Sequence, residues 1–144
     1  MELKHINTRA AAETGLTFAV KQPYSNEETD FKISVVGAGS KVHRKALQQY
    51  LLEKDELEKQ SKKDKREQID LEDAHSLLLA KFMAACTIGW EGLTSDGVEV
   101  EFSQEQATDV YVSSPEVMAQ VVEKVSDLQK MLGEPKASSV SSAK

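Results

Sequence analysis

Apolar and polar residues alternate in two segments near the start of the chain, Leu16-Thr17-Phe18-Ala19-Val20 and Phe31-Lys32-Ile33-Ser34-Val35. A period of two puts every second side chain on one face, so each segment predicts a half-buried β-strand. Gln22-Pro23-Tyr24-Ser25-Asn26 between them is turn chemistry: proline presets φ, and Ser and Asn bond their own backbone. The connection is too long for a tight hairpin, so it permits antiparallel pairing without fixing it. Residues 1–15 carry no clear period and read as a loosely ordered N-terminus.

After Ser40 the period becomes helical. Val42, Ala46, Leu47, Tyr50, Leu51 and Leu57 predict a helix over about 41–68 with one buried stripe, and Ser40 is placed to cap it. From Glu53 to Asp73 the composition shifts to dense mixed charge. Acid–base pairs four apart, Asp55–Lys59 and Glu58–Lys62, lend that stretch modest helical support. It reads as a solvated helical extension or as a linker between two helices. A second helix is predicted over 71–87, with Asp70 at its start and Leu71, Ala74, Leu78, Phe82 and Ala85 as its stripe. Gly89 stands where a C-terminal glycine would stop it.

Thr87 to Ser103 contains the lone tryptophan, Trp90, in a Gly-Trp-Glu-Gly box. Ser95-Asp96-Gly97 reads as a tight turn, and Val98, Val100 and Phe102 alternate with Glu99 and Glu101 as a short strand. Ser103 with Gln106 three later forms a capping box for a helix over 104–112. Ser114-Pro115 then opens a helix over 115–132, with serine as N-cap and proline at the first helical position. Its stripe is Met118, Val121, Val122, Val125, Leu128 and Leu132. Gly133-Glu134-Pro135 stops it, and the Ser/Ala/Lys-rich tail 134–144 is expected to be disordered. The expected fold is mainly α with a small antiparallel β component, in one domain spanning 16–133. Ser40, Trp90, Gly97, Phe102, Ser103, Ser114 and Pro115 are its structural markers, with Trp90 expected to be buried. Met118, Val121, Val122 and Val125 are the candidate partner-binding stripe.

Composition narrows the function. The 144 residues carry a net charge of −6, and the pI is about 5.1. An acidic chain has no electrostatic reason to seek phosphate backbones, and Lys59, Lys62, Lys63, Lys65 and Arg66 are flanked by acids without interleaved aromatics. No nucleic-acid partner is expected. No apolar run approaches the roughly 20 residues of a membrane span, so no membrane partner is expected either. The single cysteine, Cys86, suits a reducing compartment. Val36-Gly37-Ala38-Gly39 briefly resembles a dinucleotide fingerprint, but Val42 stands where the third glycine belongs. His43, His75 and Cys86 lack metal-ligand spacing. No nucleophile elbow or Cys–His set is present, so neither enzyme activity nor cofactor is expected.

Several of these segments resemble the tail assembly chaperones of long-tailed, siphovirus-like bacteriophages. They are Phe31-Lys-Ile-Ser-Val-Val-Gly-Ala-Gly-Ser40, the charged helix, and Ile88-Gly-Trp-Glu-Gly-Leu93 with Asp96-Gly97 and Phe102-Ser103. Ala107, Tyr111 and Ser114-Pro115-Glu116-Val117 continue the likeness, which covers residues 31–132. Family members usually carry an Asn-Phe-like motif after the last helix; this chain has Leu128-Gln-Lys-Met-Leu132 there. The resemblance implies a non-enzymatic protein of the host cytoplasm that is not retained in the mature virion. Its partners would be the tape-measure protein, which it keeps soluble, the tail-tube protein whose assembly it promotes, and further copies of itself. A minor tail or neck component and a host-type helical adaptor are the alternative readings.

Overall fold

The computed structural model describes residues 2–3, 6–63 and 68–132. In chain order the elements are α1 (Thr8–Thr14), β1 (Leu16–Lys21), β2 (Glu28–Val35), α2 (Lys41–Lys63) and α3 (Gln68–Ala85). β3 (Thr87–Glu91), β4 (Thr94–Ser95), β5 (Val98–Glu99), α4 (Gln104–Ser113), α5 (Pro115–Val125) and α6 (Leu128–Met131) follow. β1, β2 and β3 form an antiparallel sheet in that order, and β4–β5 is a separate two-stranded ribbon. The architecture is the expected mainly helical α+β fold.

The alternation read in β1 and β2 decides which sheet face is covered. Phe18, Val20, Phe31, Ile33 and Val35 are buried, while Thr17, Lys21, Asp30 and Lys32 between them are exposed. Val117, Met118, Val121 and Val125 of α5 join this core, as do Ala80, Met83 and Ala84 of α3 and Ala107 and Tyr111 of α4. α5 packs on β1 and β2, and α4 lies along α3.

Four expectations are corrected. Residues 8–14 are not loose but form α1, capped by Asn7, whose side chain accepts from the Ala10 amide at 3.1 Å. Ala11 and Ala12 are buried, and the Gly37 amide donates to the Ala12 carbonyl at 2.8 Å. Periodicity cannot reveal a helix of seven residues, which depends on tertiary contacts such as this one. Second, α3 ends at Ala85 rather than running to 87 with Gly89 as its stop. Thr87–Glu91 is β3, paired with β2 from Val35↔Thr87 to Lys32↔Glu91. Third, the predicted strand over 98–102 stops at Glu99, and the Val100 amide bonds the Leu93 carbonyl at 2.7 Å. Fourth, the 115–132 helix breaks at Ser126 and Asp127. Asp127 caps α6 by accepting from the Lys130 amide at 3.2 Å, the position that a short acidic side chain prefers over a helix interior.

α2 and α3 account for much of the charged segment 53–73. The part of that expectation on 64–67, the stop at Gly133-Glu134-Pro135 and the tail 134–144 lie outside the described residues.

Candidate functional site

Ser40 is fully buried and caps α2, accepting from the His43 amide at 3.0 Å. Asp96 (φ 52°) and Gly97 (φ 81°) form the two-residue loop between β4 and β5. Left-handed backbone at both positions suits the strand twist, and Asp-Gly supplies it at little cost. Ser103 caps α4 by accepting from the Gln106 amide at 3.0 Å. Pro115 opens α5 as expected, but Ser114 makes no side-chain cap bond there.

Trp90 is half-buried rather than buried, and it stands inside β3 rather than at a helix end. Its ring meets Phe31 edge-on at 5.5 Å and Phe102 at 5.2 Å. Its indole Nε1 donates to the Val100 carbonyl at 2.9 Å. The tryptophan therefore ties the sheet to the segment leading into α4. Of its apolar neighbours in sequence, Leu93 joins the partly buried shell while Ile88 is exposed. The residue after the box, Gly92, has φ 86°, and a Cβ there would overlap the Asp30 carbonyl oxygen. Only glycine fits that close approach.

The candidate partner-binding stripe does not form a surface. Met118, Val121 and Val125 are core residues, and only Val122 of the four is exposed. A helical stripe marks a face that needs covering, and here the sheet already covers it.

The open apolar surface lies on α2 and α3 instead. The expected buried stripe of α2 is not buried: none of residues 41–60 is buried, and Val42, Leu51 and Leu52 are exposed. α2 rests chiefly on α3. α3 is covered on two sides, with Ala80, Met83 and Ala84 in the core and Ala74, Leu78, Phe82 and Ala85 half-buried on the side that includes the α2 contact. Tyr50 stacks on Phe82 at 5.1 Å and 27°, and His43 tilts against the same ring at 5.3 Å. Where Ala46 and Ala85 are small, the two helices leave a groove of about 220 Å³, lined also by Tyr50, Leu78 and Phe82.

Glu53 and Lys81 cross this groove in an ion pair of 3.0 Å. The Gln49 amide, 2.8 Å away, and the Lys81 ammonium hold the Glu53 carboxyl below its ordinary range. Val42, Ala46, Gln49 and Glu53 recur at helical spacing, so they share one side of α2. Val42 and Leu77 are both exposed and stand four residues before the groove residues Ala46 and Lys81 on their respective helices. Exposure of Leu77 is the feature that sequence could not give, because it depends on which flank of α3 is left uncovered.

Two buried groups lie elsewhere. Tyr111 meets Thr87 oxygen to oxygen at 2.8 Å, and the Thr87 hydroxyl donates to the Met83 carbonyl at 2.8 Å. Burial pushes the Tyr111 hydroxyl up to about 12 and the Cys86 thiol likewise to about 12. Neither borders the groove, and a thiol so disposed is a packing residue. Among the described residues, no three His, Cys, Asp or Glu side chains converge on a metal-sized site. No helix there is long and apolar enough to cross a membrane.

Comparison with known families matches residues 38–140 to the model of the YdaY prophage protein family. No curated protein and no solved structure matches the chain. The family match begins just before α2 and spans the α2–α3 pair, β3 to β5 and the helices that follow. The chain belongs to the YdaY prophage protein family.

Proposed function

We propose that this prophage protein is a tail assembly chaperone, which binds the tape-measure protein, keeps it soluble and promotes assembly of the tail tube around it. The observation that carries the reading is the likeness of residues 31–132 to such chaperones, joined to membership of a prophage family. The α2–α3 groove is consistent with it. The apolar side chains left open on these helices, Val42, Leu51, Leu52 and Leu77, suit contact with the apolar face of an amphipathic client helix. None of residues 41–60 of α2 is buried, which suits a contact that must later be released.

The test is co-expression with the tape-measure protein encoded by the same prophage, followed by sedimentation. The expected result is a soluble complex that forms with the wild-type chain and is lost with Val42→Asp/Leu77→Asp. Both residues are exposed, so these changes leave the core intact. Surface ion pairs are each worth about 0–1 kcal/mol, so added salt should weaken the complex only mildly. A tape-measure protein equally soluble alone, with no complex recovered, would sink the chaperone reading. Recovery of the protein in purified virions would point to a structural tail or neck component instead.

A further inference from the structure

β1 is an edge strand, since β2 pairs on one side of it only. Across its other side stands α5, and between them runs an open cleft of about 640 Å³. Gln120 of α5 closes one end. Its Oε1 accepts from the Lys21 amide at 2.8 Å and its Nε2 donates to the Lys21 carbonyl at 2.9 Å. One side-chain amide thus answers both backbone groups of Lys21, as a neighbouring strand would. The register shift between Ala19 and Lys21 places its extra residues on β2, and the Val20 carbonyl and Gln22 amide both bond toward β2. Direction therefore still alternates along β1, and the amides and carbonyls of Thr17 and Ala19 face the same way as those of Lys21. Among the described residues they meet no such partner there.

The cleft also has a charge order. Gln120 lies by Lys21, and the Lys124 ammonium lies 5.8 Å from the Phe18 ring centre. α5 therefore runs antiparallel to β1. At the β1–β2 loop end the lining acids are Glu28 and Glu116, against Lys21; at the Leu16 end the bases Lys124 and Lys130 outnumber Glu123.

We propose that this cleft takes an extended segment of a partner polypeptide, which adds to β1 as a fourth strand. Strands pair at about 4.8 Å, whereas a helix with side chains is about 10–12 Å across, so a strand fits between an edge and a helix far better than a helix does. Antiparallel addition pairs best and fixes the charge order of the occupant: a basic residue at its N-terminal end, beside Glu28 and Glu116, and an acidic one at its C-terminal end, beside Lys124 and Lys130. A second copy of β1 fits poorly, because its own Lys21 would fall against Lys124 and Lys130. The inference is independent of the tail-assembly reading, because the cleft shares no lining residue with the α2–α3 groove and uses a different mode of contact.

The probe is a synthetic peptide, Lys-Thr-Val-Thr-Val-Glu, with Glu-Thr-Val-Thr-Val-Lys as its reversed-charge control, added to the full chain. Amide hydrogen exchange at Thr17 and Ala19 is the readout. The first peptide should slow exchange at both amides at least tenfold, and the reversed peptide should need several-fold higher concentration. Ala19→Pro removes an outward amide from an edge strand, a change that edges tolerate, and should abolish the effect while the circular dichroism spectrum is kept. No slowing by either peptide would overturn the proposal, as would equal action of the two. Exchange already slow without peptide would also overturn it. If that protection grew with protein concentration, the occupant would be a second copy. If it were independent of concentration and removed by truncation after Leu132, the occupant would be the chain's own C-terminal segment.

Discussion

The hydroxyl pair between Thr87 and Tyr111 allows a sharp test of the core. Thr87 has one hydroxyl proton, and it goes to the Met83 carbonyl. Tyr111 must therefore be the donor in their 2.8 Å contact. The two single substitutions are then unequal. Tyr111→Phe removes a donor and leaves the Thr87 oxygen still donating to Met83, at a cost of about 0.5–1.5 kcal/mol for one net hydrogen bond. Thr87→Val leaves a fully buried Tyr111 hydroxyl with no acceptor, at a cost of about 1–3 kcal/mol. The double variant should lose less than the sum, because neither side is then left unsatisfied. Urea denaturation with unchanged m-values is the measurement, supported by midpoints shifted by roughly 2–4 °C for each kcal/mol. Burial raises the Tyr111 pKa from 10.0 to about 12. A raised folded-state pKa means that its share of stability is complete below pH 10 and is lost as pH climbs to about 12. Tyr111→Phe should therefore flatten the stability profile in that window. If Thr87→Val proved no worse than Tyr111→Phe, or the double variant were additive, the donor assignment would be wrong.

Other expectations follow from single sites. Gly92→Ala should destabilise by well over 1 kcal/mol because a Cβ overlaps the Asp30 carbonyl, whereas Gly97→Ala meets open space and should cost only about 1 kcal/mol of left-handed strain; equal thermal midpoints would refute this. Trp90→Ala should cost about 3 kcal/mol, the low end for a large aromatic because the ring is only half-buried, and an unchanged midpoint would refute that. Burial lowers the His43 pKa below 6.5, and its Nδ1 accepts from the Gly39 amide at 3.2 Å. The unfolded chain thus binds the proton first, so stability should fall as pH drops below 6.5. His43→Gln should reduce that slope in denaturant titrations. Cys86 should resist alkylation at neutral pH in the native protein and react only on unfolding.

Strands β1 and β2 were legible because each has one wet and one dry face, and alternation records that directly. The caps at Ser40 and Ser103 were legible because they are local. β3 was not: a glycine after a helix has two readings, and pairing with a strand more than 50 residues earlier chose between them. The valines of α5 and the apolar residues of α2 show the deeper limit. Both elements have helical stripes, yet Val121 is fully buried while Leu51 is half exposed. Periodicity identifies a face that is able to be covered; the rest of the fold determines whether it is.

The arrangement of α2 has a consequence for local stability. It is the longest described helix, yet none of its residues 41–60 is fully buried and its main support is one neighbour. Opening it exposes partly wetted side chains and leaves the sheet, α4 and α5 in place. Its free energy of opening therefore lies below that of global unfolding, and the chain contains two cooperative units of unequal strength. The weaker is the helix that begins three residues into the family match. Under native conditions its amides should exchange first, well before those of Ala80 to Ala84 on the helix it leans against.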